Sequence, residues 1–249
     1  LPLRNTVLFP GVVIPITVGR EKSVKLVTDA NESNKTIGVV AQKEGKIEDP
    51  TYDQLHHIGT VAHIVKILKM PDGNTTVIIQ GKRRFELDSL VQEAPYMKAK
   101  IKPYAGLTEI PEDKKFSALV GSLKDLALQI IKYSPNIPSE AAFAIKNIDN
   151  PSFLVNFTSS NMNAEINEKQ TLLELVDLRE RATQLLGHLT KELQMLELKN
   201  DIQTKVRTDI DKQQKEFFLH QQMKQIQEEL GGNPVEQEIA DLRKRGKKK

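Results

Sequence analysis

Histidine has the widest chemical repertoire of the residue types in this chain, and three of the five histidines lie near one another, at His56, His57 and His63. Imidazole nitrogens bind transition metals, usually as a pair one helical turn apart or together with closely spaced cysteines. These three follow neither spacing. The chain contains no cysteine, which excludes disulfides and thiol nucleophiles and fits a reducing compartment. We therefore interpret them as ordinary loop and strand residues and predict no metal site.

Motifs for phosphate binding and for a serine nucleophile are missing from the sequence. An ATP-binding loop needs two glycines at a fixed spacing ahead of a lysine, but Thr76 stands where the first glycine would precede Gly81 and Lys82. The lysine run after Gly246 also lacks the earlier glycine, and no Gly-x-Ser-x-Gly occurs. We predict that this chain has no catalytic residue and binds no cofactor.

Basic residues offer a second kind of chemistry, contact with phosphate groups. Lys82, Arg83 and Arg84 are consecutive, and either a solvated strand face or a phosphate-binding face fits them; Phe85 is the ring beside them, and alternation predicts that it faces a core. The run RKRGKKK at 243–249 could hold nucleic acid or form a solvated helix end. Because that run alone exceeds the net charge of +3, the rest of the chain is mildly acidic, which argues against a nucleic-acid-binding body.

The apolar segment Phe9–Pro15, which we call the lip, is the first candidate for binding another protein. Its two prolines limit strand pairing, since each removes a backbone donor. The lip is either a buried loop with its valines in the core or an exposed apolar surface that captures unfolded polypeptide. Alternation predicts that Val12 and Ile14 share one face and Val13 the other. The candidate contact residues are Phe9, Pro10, Val12, Val13, Ile14 and Pro15.

A second set of candidates lies in the C-terminal part of the chain: Phe217, Phe218, Leu219 and Met223. Adjacent aromatic side chains cannot both lie on one stripe of a helix, so at least one of them should be exposed on an isolated helix. The pattern favours a contact with a neighbouring subunit or with a substrate.

Residues 1–106 have the pattern of a β-rich domain. Apolar, β-branched runs are separated by turn signals, among them Pro10-Gly11 and the sequence PDGN at 71–74, which predicts a hairpin. A short helix is predicted between the second and third strands. Six strands and one helix in this length predict a small, partly closed antiparallel barrel. The predicted strands cover residues 2–9, 12–18, 36–42, 59–70, 75–91 and 96–104, and the helix covers 20–31.

The composition then changes to that of helices. Residues 107–163 predict three short helices, one ended by Pro135 and Pro138, one capped by Ser139 and one capped by Asn150. Residues 164–232 contain no proline before the terminating Gly231-Gly232-Asn233 and predict one long helix, on the order of 100 Å, part of which projects beyond the domain. Its stripe from Leu172 to Leu196 should cover the short helices. Residues 233–249 read as a linker.

Two properties of the sequence as a whole limit the class of protein to which this chain can belong. No run approaches the ~18 apolar residues that a membrane-spanning helix needs, so we predict no membrane association. The chain starts at Leu1 instead of a methionine and stops within a lysine run, and we expect it to be part of a longer protein.

Three stretches resemble the N-terminal region of Lon, a family of ATP-dependent AAA+ proteases with a Ser-Lys peptidase. They are LPLRNTVLFPGVVIPITVGREKS at 1–23, the region 59–84 with its MPDG turn and IIQGKRRF run, and QQKEFFLHQQMKQIQEELG at 213–231. They stand in the family's order and span nearly the whole chain. Between residues 111 and 163 the match is in pattern alone.

The resemblance implies an α+β fold, in which a β-rich PUA-like pseudo-barrel precedes a helical bundle with one long projecting C-terminal helix. It implies a non-catalytic region that captures exposed apolar segments of unfolded or damaged proteins for a hexameric AAA+ ring. ATP, Mg²⁺ and the serine endopeptidase activity would belong to modules outside this stretch. The implied location is the bacterial cytoplasm in preference to the mitochondrial matrix. The alternative function is a PUA-like nucleic-acid-binding module that uses Lys82 to Arg84 and the basic tail.

Overall fold

The computed structural model describes residues 1–70, 75–104, 110–134, 137, 140–229 and 234–246. The predicted turn at 71–74, Pro135, Pro138, Ser139, the helix stop at 231–233 and the last three lysines lie outside the described residues. The chain forms two compact units, Leu1–Leu196 and Glu197–Lys249.

A six-stranded sheet organises the first part of unit Leu1–Leu196, with the order β1-β3-β4-β5-β2 and with β6 also paired to β5. The two hairpin arms pair antiparallel from Lys69 and Thr75 onward, as predicted. The longest strand, β5, has 18 residues and carries β2 on its first half and β6 on its second half. The strands are β1 (Pro2–Leu3), β2 (Val13–Val18), β3 (Thr36–Ala41), β4 (Ile58–Lys69), β5 (Thr75–Gln92) and β6 (Lys98–Pro103).

Two expectations for the sheet were wrong in detail. The strand predicted for residues 2–9 is only Pro2–Leu3, and it pairs parallel with β3, so the sheet is not wholly antiparallel. Beyond this strand Val7, Leu8 and Phe9 are all buried, but they pack in two cores: Val7 and Phe9 in one and Leu8 in the other.

Helix α1 (Glu21–Glu32) and one face of the sheet share a first hydrophobic core. Val27, Ile64, Val77 and Ile79 are nearly inaccessible to solvent there. The exposed residues of this helix are all polar or charged (Glu21, Lys22, Lys25, Thr28, Asn31 and Glu32), which is the amphipathic pattern that the sequence predicted for residues 20–31.

Three short helices follow: α2 (Lys114–Tyr133), α3 (Glu140–Lys146) and α4 (Pro151–Asn161). Asp113 caps α2 by accepting hydrogen bonds from the amides of Lys115 and Phe116, each 3.0 Å long. Asn150 caps α4 by accepting from the Phe153 amide at 2.9 Å, with a proline in the first turn. The predicted Asn150 cap is therefore confirmed.

The predicted long helix is broken once. Helix α5 (Ile166–Glu174) ends before Leu175, and α6 runs from Leu178 to Glu229 as 52 residues, about 80 Å. The Asp177 carboxylate accepts a 2.7 Å hydrogen bond from the Glu180 amide, which starts α6 with an N-terminal cap. An aspartate three residues ahead of a glutamate, here Asp177 and Glu180, is a helix-start signal, so the sequence contains a pattern that predicts this break.

A second core joins the helices to the sheet. Leu178, Ala182, Leu185, Leu189 and Leu193 on α6 are buried, and they pack in one cluster with residues of α2, α4, α5 and the chain start. As predicted, the Leu172 to Leu196 stripe covers α2 and α4, but the buried residue of α3, Ile145, packs in a separate cluster with Ala127, Ile148 and Leu154.

In unit Glu197–Lys249 the described side chains are all exposed. This unit contains the remainder of α6 and helix α7 (Pro234–Gly246). Among the described residues, no helix is both long enough and apolar enough to cross a membrane.

Candidate functional site

The lip lies along β5, where the chain passes Gly81. The Gly11 amide donates to the Gly81 carbonyl, and the Gly81 amide donates to the Val12 carbonyl, each at 2.9 Å. A Cβ on residue 81 would collide with the Phe9 carbonyl oxygen. Gly11 has a φ of +81°, which favours glycine. Two glycines therefore set the course of the lip.

Burial divides the lip into a core part and a surface part. Phe9 is 0% exposed and Val12 is 3% exposed, so these two candidates are core residues and cannot contact a partner. Val13 is 51% exposed, Pro15 is exposed, and Pro10 and Ile14 are half-buried. The lip is therefore neither wholly buried nor wholly exposed. The predicted separation of Val12 from Val13 is confirmed.

Helix α4 holds the lip from the other side. The side-chain amide of Asn156 donates a 3.1 Å hydrogen bond to the Pro10 carbonyl. The Phe153 ring packs so closely on Gly11 that a Cβ there would lie 2.8 Å from its Cδ2 atom. The rings of Phe153 and Phe157 lie 5.9 Å apart in a tilted pair, and both are half-buried. The partly exposed apolar surface thus continues from the lip onto α4.

Sequence reasoning did not place Phe153 and Phe157 beside the lip. Phe153 and Phe157 lie one helical turn apart, which predicts a shared face but does not identify the element that meets it. The nearby helix α3 also carries a strongly exposed ring, Phe143. No pattern in the sequence distinguishes these exposed rings from core rings.

A buried arginine supports the Asn156 side chain. Arg181 on α6 is 3% exposed, and its Nη1 donates to the Asn156 Oδ1 atom at 3.1 Å while Nη2 donates to the Leu175 carbonyl. Burial, and secondarily the charge of Arg84, lowers the pKa of Arg181 to about 10. The guanidinium is therefore still charged at neutral pH, and it fixes the amide that holds Pro10.

Arg84 differs from its basic neighbours. Its Nη1 donates to the carbonyls of Leu173 at 2.8 Å and Leu175 at 2.7 Å, and its guanidinium lies 5.3 Å from the centre of the Tyr104 ring. Burial lowers the pKa of Arg84. Arg84 therefore links β5 to the end of α5. Of the three residues considered as phosphate contacts, this one is already bound within the protein. Lys82 and Arg83 are exposed.

The second set of candidates is exposed throughout. Phe217 is 65%, Phe218 59%, Leu219 52% and Met223 53% exposed. Both adjacent rings, and not only one, therefore lie in solvent on α6. No described residue of unit Glu197–Lys249 buries these four side chains.

The histidines form no metal site in the part of the chain that the structure describes. No group of three metal-binding side chains lies close enough there to hold an ion. Burial lowers the pKa of His56, which lies half-buried near Glu174 and Lys43. A neutral imidazole at that position is consistent with an ordinary structural residue.

Comparison with known proteins shows which family this chain resembles. Residues 1–191 match the family model described as the ATP-dependent protease La (LON) substrate-binding domain. The chain is 60% identical over its whole length to a Lon protease of Flavobacterium johnsoniae, and 50% identical over 98% of its length to one of Cytophaga hutchinsonii. It spans about three tenths of the length of each of these relatives.

Two solved structures share the fold. The N-terminal domain of the Mycobacterium avium complex Lon protease superposes with a TM-score of 0.62 over 76% of this chain and 96% of that one, at 19% identity. The Lon N-terminal domain protein of Xanthomonas campestris gives 0.55 over 75% and 95%, at 18% identity. The α+β fold class, with a β-sheet followed by helices that include a long C-terminal one, is confirmed.

Proposed function

The chain belongs to the family of substrate-binding domains of the ATP-dependent protease La (Lon), and from this premise we propose that it captures exposed apolar segments of unfolded or damaged proteins. Captured segments would then pass to a hexameric AAA+ ring carried elsewhere in a longer protein. That protein would be an ATP-dependent serine endopeptidase, and this region would contribute binding and assembly without catalysis. Its bacterial relatives support a place in the bacterial cytoplasm.

The observation that supports this proposal is the exposure of Val13 at the start of β2, where the backbone is held by hydrogen bonds. The side chain is 51% exposed, while the backbone around it is bound on one side by Gly81 and on the other by Asn156. An apolar side chain on a fixed backbone can bind an apolar segment with little loss of its own conformational freedom. Pro15 and the half-buried rings of Phe153 and Phe157 would widen the contact.

The exposed residues of α6 would form a second contact, with substrate or with a neighbouring subunit. Phe217, Phe218, Leu219 and Met223 present apolar area that no described residue of their own unit covers. Exposed apolar patches of this kind commonly mark protein-binding surfaces.

Binding of a denatured protein to Val13→Asp tests the proposal. Fluorescence anisotropy with a labelled, reduced and carboxymethylated protein should show affinity weakened about tenfold, because a carboxylate would have to be desolvated in an apolar contact. Stability should stay within ~0.5 kcal/mol, as for other surface substitutions. Val65→Asp is the matched control, since Val65 on β4 is 52% exposed and lies outside the lip.

Val12→Asp separates the surface of the lip from its core. Val12 is 3% exposed, so a buried carboxylate should cost about 3 kcal/mol and unfold the domain. If Val13→Asp binds denatured protein as tightly as the unchanged chain, the lip is not the contact. Joint replacement of Phe217 and Phe218 by serine would then show whether α6 is.

Nucleic-acid binding stands as the second candidate, because Lys82 and Arg83 are exposed on β5 and basic residues end α7. A salt titration distinguishes it from the first. Phosphate contacts weaken steeply as salt rises, whereas apolar capture barely responds. Steep salt dependence that Lys82→Ala reduces would favour this second function.

A further inference from the structure

Strand β6 forms an open edge of the sheet. Among the described strands it pairs only with β5, from Phe85–Pro103 to Gln92–Lys98, and its other side meets no strand. Such an edge presents a row of backbone donors and acceptors that another extended chain can pair with.

A cavity of about 550 Å³ lies beside this edge. Strand β6 lines one side, β3 and helix α1 line the other, and Phe85, Leu87 and Leu55 lie between them. Phe85 and Leu55 belong to a small buried core with Val40, and Leu87 and Met97 pack partly exposed against it. The gap between the edges of β6 and β3 therefore has an apolar floor and is wide enough to hold side chains.

The residues of β6 alternate strictly in chemistry. Ala99 and Ile101 line the cavity together with Lys98 at the start of the strand, and Ile101 is 46% exposed. Lys98, Lys100 and Lys102 occupy the alternate positions and are all exposed. Successive side chains of a strand point to opposite faces, so Ala99 and Ile101 form an apolar face toward the cavity and the lysines form a cationic face on the other side, although Lys98 at the start of the strand also borders the cavity.

The acidic groups around the cavity are largely engaged. Asp29 accepts a 3.1 Å hydrogen bond from the Tyr96 hydroxyl and pairs with Lys25 at 3.1 Å. Asp49 forms an ion pair with Lys22. On the cationic face Lys102 pairs with Asp88, and Lys98 lies 5.4 Å from the centre of the Tyr96 ring. Glu93 also lines the cavity.

The other long open edge is protected. Strand β2 pairs, within the described sheet, only with β5, but Pro15 in its middle has no amide hydrogen and interrupts any further ladder. In β6 the proline is Pro103, the last residue, so Lys98 to Lys102 keep their backbone donors.

We propose that β6 binds an extended peptide as an added strand, with apolar side chains at alternate positions entering the cavity and acidic side chains between them facing the lysines. Main-chain hydrogen bonds supply the affinity in this mode, and alternate side-chain contacts supply the choice of sequence. Opposite charges directly across a strand pair stabilise it, and like charges oppose it. The inference rests on the proposed function of binding unfolded polypeptide and names a preferred segment: an acidic, alternating β-strand former.

Three short synthetic peptides test this mode by isothermal titration. One alternates valine with glutamate, one alternates valine with lysine, and one is the glutamate peptide with alternate backbone amides N-methylated. We expect the glutamate peptide to bind at least about tenfold more tightly than either of the others. Equal affinity of the methylated peptide would overturn the proposal, because strand addition needs those donors.

A charge reversal locates the site. Lys100→Glu should reverse the preference so that the lysine peptide binds better, while Lys66→Glu, on an exposed lysine of β4, should leave the preference unchanged. The same titrations include the labelled denatured protein. Binding of that protein without any preference among the peptides would overturn the strand-addition mode and leave the proposed function standing. If the chain bound neither the denatured protein nor any peptide with a preference, both the strand-addition mode and the proposed function would be overturned.

Discussion

At the scale of single residues, the glycines differ sharply in what their missing side chain permits. At Gly81 an added Cβ would meet the backbone of Phe9, and at Gly59 it would meet the Val39 carbonyl oxygen. At Gly187, in the middle of α6, nothing lies within 4 Å of that position. The first two let backbone segments approach closely, and the third only weakens a helix.

Alanine at these glycines should therefore change stability in opposite directions. Gly81→Ala should lower the free energy of unfolding by about 2 kcal/mol or more, because backbone must shift. Gly187→Ala should raise it by roughly 0.5–1 kcal/mol, the difference in helix propensity. Urea unfolding followed by circular dichroism measures both. Equal midpoints for the two variants would show that the lip does not need the close approach.

Asp113 makes part of the stability depend on pH. Hydrogen bonds from Arg179 and then from the Phe116 amide hold its pKa at about 2, below the ordinary value of 3.8. The folded state therefore binds this proton less readily than the unfolded state, so the contribution is complete above about pH 4 and disappears as pH falls toward 2.

Asp113→Asn keeps an oxygen that can cap α2 but removes the charge. The unchanged chain should be the more stable of the two at pH 6, and the difference should shrink steadily below pH 4. Thermal unfolding across that range measures it, and added salt should reduce the difference because the pair is exposed. A difference that stays constant down to pH 2 would assign the effect to capping alone.

At the scale of elements, two arginines hold together the break between α5 and α6. Arg84 from β5 and Arg181 from α6 both donate to the Leu175 carbonyl, and the Tyr104 hydroxyl donates to the Glu174 carbonyl at 2.6 Å. The end of a helix leaves carbonyls without partners inside the helix, and here side chains from other elements supply the donors. The break, the sheet and α4 are thus joined through one polar cluster.

Arg181→Met keeps the bulk of the side chain and removes its donors. The Leu175 carbonyl loses one of its two donors, and the Asn156 Oδ1 atom loses its partner inside the protein, so unfolding should become easier by about 2–4 kcal/mol. Arg207→Met, at an exposed position of the same helix, should change stability by less than ~0.5 kcal/mol. Equal effects of the two substitutions would contradict a structural role for the cluster.

At the scale of the whole chain, stability should reside in unit Leu1–Leu196. The buried residues of α6 end at Leu193, and the apolar residues beyond it, from Leu198 to Ile226, are about half exposed or more. An isolated helix with no covered face gains little from tertiary packing.

A chain that ends at Leu196 should therefore unfold cooperatively within about 2 °C of the full chain. Differential scanning calorimetry of the two proteins makes the comparison. A broad, uncooperative transition for the shorter chain would show that residues after Leu196 belong to the core.

Sequence patterns predicted the strands and helices well because their physical causes are local. The alternation in β5 and the three-and-four spacing on α6 depend only on neighbouring residues. The parallel pairing of β1, the joining of Phe153 to Gly11 and the burial of Arg181 depend on segments far apart in the chain. The predicted domain boundary at residue 106 stays a prediction. The second core contains residues from both sides of that boundary, and no local sequence pattern predicts that they pack together.

That second core also bears on how the protein is made. Val7 and Phe9 near the chain start share it with Leu189 and Leu193, whereas the first core needs only residues between Leu3 and Ile79. On the ribosome the sheet can therefore close long before the stripe of α6 emerges, and until then the nascent chain displays an uncovered apolar face. Under the proposed function this is the kind of surface that a finished copy captures, so each molecule passes through a stage at which it is a substrate for its predecessors.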